Sequence, residues 1–139
     1  MKKDKIIHDF ENEWQKFNQM ELDKNELKKI FEDYFYLMPW SIINKNSVGI
    51  DVGCGTGRWA QFVAPKCKKI HLLDAGKRTL EVAKKFLSQH KNITFILSDL
   101  KEIPIIDQKY DFAYSLGVLH HVPNVDKTIK EINRIVVPG

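Results

Sequence analysis

The residues of this chain best placed to do chemistry are three alternate glycines and a set of acids spaced around them. Gly53, Gly55 and Gly57 enclose Cys54 and Thr56, and Asp51 stands two residues before the first glycine. Alternate glycines let a backbone adopt positive φ and approach a ligand that a Cβ would push away. Asp74 follows Gly57 by 17 residues, close to the separation at which an acid reaches a ribose diol in nucleotide-binding folds. A carboxylate there accepts from both the 2′- and 3′-hydroxyls and suits an adenosine without a 2′-phosphate. Asp99, after a third apolar run, reads equally well in isolation as a turn or capping aspartate. Ser115, His120 and His121 follow a fourth run. The neutral imidazole of His121 could accept a proton near pH 7, although a loop histidine that packs or bonds locally is the plainer reading. Metal binding by the adjacent pair is disfavoured, because neighbouring side chains diverge and no carboxylate follows at ligand spacing.

These residues need elements to hold them. Val48, Ile50 and Val52 form a short buried strand that runs into the glycine turn. Trp59, Phe62 and Val63 recur at helical spacing, predicting a helix over 58–64. A glycine loop entering a helix would gather free N–H groups and a positive dipole end at one point. Residues 70–74, 93–97 and 110–115 read as three further strands, and 77–87 and 126–137 as amphipathic helices. Thr79 is the expected cap of the helix over 77–87. Ahead of all this, Phe10, Trp14 and Phe17 make an apolar stripe over 9–18. Asp23 and Glu26 have capping-box spacing for a second helix that Pro39 stops. Core packing is the favoured reading of both stripes, and a lid over the site the alternative. Strands alternating with helices predict βαβ units and a parallel sheet.

Bulk properties set the outer limits. The 139 residues are 43% hydrophobic and 29% charged, with a net charge of +4, which suits one soluble domain. The basic excess lies beyond residue 47, but its lysines are scattered rather than interleaved with aromatics, so a solvated face is expected and no nucleic-acid groove. No apolar run has the length of a membrane span or of a signal peptide. Cys54 and Cys67 show no redox or metal spacing, and a reducing, cytoplasmic setting is the simplest reading.

The acid two residues before a G-x-G-x-G loop resembles the first motif of the class I S-adenosylmethionine-dependent methyltransferases of small-molecule type. The series Tyr110-Asp111 through Ser115, Leu119-His120-His121-Val122, and Ile132 through Arg134-Ile135 to Pro138-Gly139 is similar to later motifs of that family, in the same order. The resemblance covers roughly residues 46–139. It implies an α/β, Rossmann-like, doubly wound parallel sheet, with strand order 3-2-1-4 present here. It further implies that Gly53, Cys54, Gly55 and Gly57 line the methionine moiety of the cofactor S-adenosyl-L-methionine, with Asp51 facing its ammonium. Asp74 would hold the ribose, Asp99 the adenine amine and the Leu100 backbone the ring, while Ser115 lies where a strand end meets the cofactor. His121 is the candidate general base.

The family's helices before the first motif imply that residues 1–45 form a helical lid. Gly76 stands where the family often has Ser or Thr. Strands five to seven of the family's sheet are missing, so the expectation is an N-terminal fragment of a longer protein with its fourth strand as a bare edge. Ser115-Leu116-Gly117-Val118 takes the place of the N-P-P-[YF] motif of enzymes that methylate exocyclic amines of DNA or RNA. A small-molecule or lipid-like acceptor, methylated on oxygen or carbon, is therefore expected. Two alternatives stay open: a non-catalytic binding or partner domain of the same fold, and, opposed by the glycine spacing, a nicotinamide-dependent oxidoreductase.

Overall fold

The computed structural model describes residues 23–139; the stripe expected over 9–18 lies outside them. Five β-branched or small residues, Val48–Val52, form β1 at the centre of a parallel sheet. β2 (Lys69–Asp74) and β3 (Ile93–Leu97) lie on one side of it and β4 (Phe112–Tyr114) on the other, in the order β3-β2-β1-β4. The expected doubly wound order is thus present. Gly49 in β1 has a packing reason: a Cβ there would lie 2.2 Å from Cζ of Phe112, whose ring crosses the strand.

Alternation along the strands separates two apolar layers. Ile70, Leu72, Phe112 and Tyr114 face one side, where they meet Phe31 and Phe35 of the N-terminal helix region and Val63, Leu80 and Leu87. Ile50, Val52 and Leu73 face the other, against Tyr110, Val118 and Ile135. The helices are α1 (Lys24–Tyr34), α2 (Ala60–Val63), α3 (Lys77–Phe86) and α4 (Val125–Ile135). No described helix is long and apolar enough to cross a membrane.

Several local expectations change. α1 ends at Tyr34 rather than running to Pro39, and it buries only Phe31, with Phe35 at its C-cap; both rings are core, as the packing reading expected. Asp23 caps α1 by accepting the Asn25 N–H at 3.3 Å. The helix after the glycines is only four residues long, followed by a 3₁₀ turn at Ala64–Lys66 that contains Pro65. Thr79 caps nothing; it is buried, and Gly76 occupies the N-cap of α3.

The fourth strand is shorter than the expected 110–115, and its edge is not wholly bare. Tyr110 N–H donates to the Ile135 carbonyl and Val137 N–H to the Tyr110 carbonyl, both at 2.9 Å, making a parallel bridge between Tyr110 and Val136. Two consecutive valines followed by Pro138 turn the chain extended after α4, which lays it along the entry to β4.

Candidate active site

The strand ends converge through backbone bonds. Gly53 and Cys54 donate their N–H groups to the Leu73 carbonyl at 2.7 and 3.0 Å, which clamps the glycine loop over the end of β2. Asp74, the last residue of β2, then receives the Gly55 N–H on Oδ2 at 3.0 Å and the Gly76 N–H on Oδ1 at 2.8 Å. One buried carboxylate therefore sets the glycine loop and the start of α3 together. Ionised carboxylates have about four acceptor sites, so these bonds are compatible with further acceptance from a diol. Ser98 N–H donates to the Asp74 carbonyl at 3.0 Å and brings the Asp99 turn alongside.

All three loop glycines have positive φ: 78° at Gly53, 56° at Gly55 and 79° at Gly57. At two of them the protein itself fills the space where a side chain would begin. A Cβ on Gly53 would lie 2.6 Å from Cγ1 of Val118, and one on Gly57 would lie 2.4 Å from Cδ1 of Leu87. The glycine amides themselves are not part of a free N–H cluster. Gly53, Cys54 and Gly55 have spent their donors, and Gly57 donates to the Cys54 carbonyl at 3.0 Å. Three glycines in the left-handed region fold the loop back on β2, so the amides of Gly53, Cys54, Gly55 and Gly57 are bonded within the protein.

Asp51 is 2% exposed on the sheet face it shares with Leu72 and Tyr114, its register partners. Burial pushes its carboxyl up to about 8; a Tyr114 contact lowers it and the Asp74 charge raises it. The Tyr114 hydroxyl, fully enclosed beside Asp51, makes no hydrogen bond of full geometry among the described residues. Burial, with Asp51 and Asp74 nearby, drives the Cys54 thiol well above its ordinary value, so it is an unreactive neutral group that donates weakly to the Gly55 carbonyl.

Ser115 donates its hydroxyl to the Val52 carbonyl at 2.7 Å and ties the ends of β4 and β1. With its one proton committed, it can act toward a ligand only as an acceptor. Asp99 accepts the Lys101 N–H at 2.9 Å in the turn after β3, and Leu100 is buried behind it. His121 ends a 3₁₀ turn at Leu119–His121 and donates its N–H to Val118, the residue packed at Gly53. Its ring lies 3.9 Å from that of His120, and both residues are exposed. A groove floored by Phe31, Phe35, Trp40 and Phe62 is also lined by Pro65, Lys66, Gln89 and His90. Those last residues precede β2 and β3, so the groove opens toward the opposite end of the sheet.

Sequence reasoning passed over Tyr114 as a site residue. Its signal was available: a phenol in the strand that must pair beside Asp51. Phe35, which packs edge-on against Tyr114 at 5.0 Å, and Trp59, 6.5 Å from Phe35 in turn, were likewise visible only as stripe residues.

A parallel sheet in this order, with a glycine loop after its central strand and an acid ending the neighbouring strand, defines a nucleotide-type α/β domain. Residues 50–139 match the Methyltransferase domain family, and the chain belongs to it. It is similar to demethylmenaquinone methyltransferase of Staphylococcus aureus, 30% identical over 101 residues, covering 70% of this chain and 42% of that protein. The chain thus spans less than half the length of these curated relatives. Among solved structures, it is similar to a Bacillus halodurans C-125 protein assigned to the methyltransferases (TM-score 0.71, 26% identity, 78% of this chain and 48% of that one). It is also similar to a Methanococcus maripaludis protein assigned as an S-adenosyl-L-methionine-dependent methyltransferase (TM-score 0.68, 27% identity, 79% and 50%). S-adenosylmethionine is the cofactor that this family membership implies, and the residues present fit it: a buried acid beside a phenol that lacks a well-formed hydrogen bond, and a second acid at the neighbouring strand end.

Proposed function

We propose that the protein containing this chain transfers a methyl group from S-adenosylmethionine to an oxygen or carbon of a small-molecule or lipid-like acceptor. The observation that carries this is the Asp74 carboxylate, which holds the glycine loop and the α3 start in one frame where the strands end. When bound, the cofactor supplies a methyl group already activated on a sulfonium. The protein's task is to align two partners and keep water out, and alignment of this kind is worth about 7–11 kcal/mol.

Each residue has a part in that alignment. Gly53, Cys54, Gly55 and Gly57 bound the methionine moiety, and Asp51 takes its ammonium. Asp74 receives the ribose hydroxyls, Asp99 the adenine amine, and the Leu100 backbone lies against the ring. Ser115 fixes the end of β4 beside this site. His121 is the base that would remove a proton from a hydroxyl or acidic carbon. Residues 1–45 form the lid, of which α1 and residues 35–45 lie among the described residues. The S. aureus demethylmenaquinone methyltransferase supports an apolar acceptor, and the two free thiols suit a reducing cytoplasm.

Isothermal titration of the full protein with S-adenosylmethionine and with NAD tests the reading. Binding of the sulfonium compound without NAD is the expected result. Tight NAD binding alone would overturn it. Cofactor binding without turnover over quinol, phenol and lipid acceptors would leave the non-catalytic alternative standing.

A further inference from the structure

The least explained polar atom among the described residues is the Tyr114 hydroxyl. It is buried, and its contact with the Asp51 carboxyl falls short of full hydrogen-bond geometry, a condition that costs about 1–3 kcal/mol for a polar group. Its ring has ordinary packing reasons to be there: it meets Phe35 edge-on at 5.0 Å and belongs to the apolar layer under α1. The oxygen has only the Asp51 carboxyl beside it, without a well-formed bond. A phenylalanine would satisfy every contact of the ring at this position.

What surrounds the oxygen is polar and belongs to the strand ends. Tyr114 is the last residue of β4, paired in register with Asp51, the penultimate residue of β1. Asp51 is the nearest group, with the Cys54 and Cys67 thiols further off, and Asp74 stands behind Asp51 on β2. Phe35, at the C-cap of α1, packs on the Tyr114 ring, and Trp59 lies beyond Phe35. So an otherwise apolar layer contains one hydroxyl and one carboxyl side by side, next to the glycine loop. A phenol both donates and accepts one bond, and a carboxylate accepts only. Together they complement a group that carries a cation and an anion on one carbon, which is the amino-acid end of an amino acid or its derivative.

We propose that Tyr114 is a further cofactor-binding residue, whose hydroxyl completes its hydrogen bond when the amino-acid end of the sulfonium cofactor is seated against Asp51. The inference rests on the cofactor reading above and extends it to a residue on a different strand, 63 positions away in the chain. Adenosine contacts are carried by other residues, so Tyr114 bears on one end of the ligand only.

The test compares wild type with Tyr114→Phe in the full protein. The ligands are S-adenosylmethionine and 5′-methylthioadenosine, which keeps the adenosine and sulfur but lacks the amino-acid end. Tyr114→Phe keeps the ring packing, so its melting temperature is expected to equal or exceed that of wild type. Its affinity for S-adenosylmethionine is expected to fall about tenfold or more, the loss of one bond to a charged group. Affinity for 5′-methylthioadenosine is expected to stay within twofold. An unchanged affinity for S-adenosylmethionine, or an equal loss for both ligands, overturns the proposal while the cofactor reading stands. If 5′-methylthioadenosine binds neither protein, the S-adenosylmethionine comparison alone decides. A wild-type protein that binds neither ligand refutes the cofactor reading itself.

Discussion

The Asp74 carboxylate accepts the backbone N–H of Gly55 at 3.0 Å, across 19 residues of chain. The bond makes the conformation of the glycine loop depend on the residue assigned to the ribose. Asp74→Asn should therefore weaken both fold and ligand binding. Asparagine offers one acceptor oxygen where two backbone donors, Gly55 and Gly76, now meet one each; a buried N–H facing an amide NH₂ costs about 1–3 kcal/mol. The expected outcome is a lower melting temperature together with S-adenosylmethionine affinity reduced by about 1.5–3 kcal/mol, read by calorimetry. An unchanged melting temperature would show that the carboxylate does not hold the loop.

Asp51 makes the ligand-free protein sensitive to pH. Its carboxyl is raised from 3.8 to about 8, chiefly by burial. Between those values the unfolded chain has released this proton and the folded chain keeps it. Stability from this group is therefore full below about pH 4 and declines as pH rises toward about 8. Asp51→Asn should remove that slope, which thermal melts from pH 5 to 8.5 would detect. Seating an ammonium on Asp51 requires its ionised form. Cofactor binding at pH 7 should then release protons, seen as a dependence of the calorimetric enthalpy on the ionisation enthalpy of the buffer.

Gly57 is held by conformation and space at once. With φ at 79° and Leu87 Cδ1 only 2.4 Å from the Cβ position, Gly57→Ala should destabilise by about 1–2 kcal/mol from the backbone alone. Contact with Leu87 adds to that. Chemical denaturation is the measurement, and a loss below about 0.5 kcal/mol would mean that the loop re-forms in another shape.

Arg134 links α4 to the loop that follows Asp99. Its guanidinium donates to the carbonyls of Ile103 and Ile105 at 2.9 and 2.7 Å and to Asp107 at 2.7 Å, and it grips both oxygens of Glu131. Glu131 in turn accepts the Ile103 N–H at 2.9 Å. Arg134→Ala should raise hydrogen exchange at the Ile103 amide and weaken cofactor affinity several-fold through the adenine side. Arg134→Lys should rescue little, because an ammonium cannot reproduce the planar fork.

What the chain alone determined is local. β-branched runs bounded by glycine, lysine and asparagine place β1, β2 and β3 within a residue of where they lie, because strand formation there follows from side-chain shape and from alternation across two buried faces. The glycine spacing foretold three positive-φ positions, since sterics at a single residue decide that. Asp74 was legible for the same reason, as an acid at the end of an apolar run.

Tertiary structure decided what depends on register and on competition for partners. Asp51 and Tyr114 meet because β1 and β4, 63 residues apart, pair in one register out of several, and nothing near either residue encodes that choice. Gly53, Cys54 and Gly55 spend their amides on Leu73 and Asp74 because β2 ends directly beneath them. The chain after Ile135 leaves the helix to bridge Tyr110 because an exposed strand entry was there to be paired. A residue's type limits which bonds it can make, and the packed sheet sets which partners come within reach.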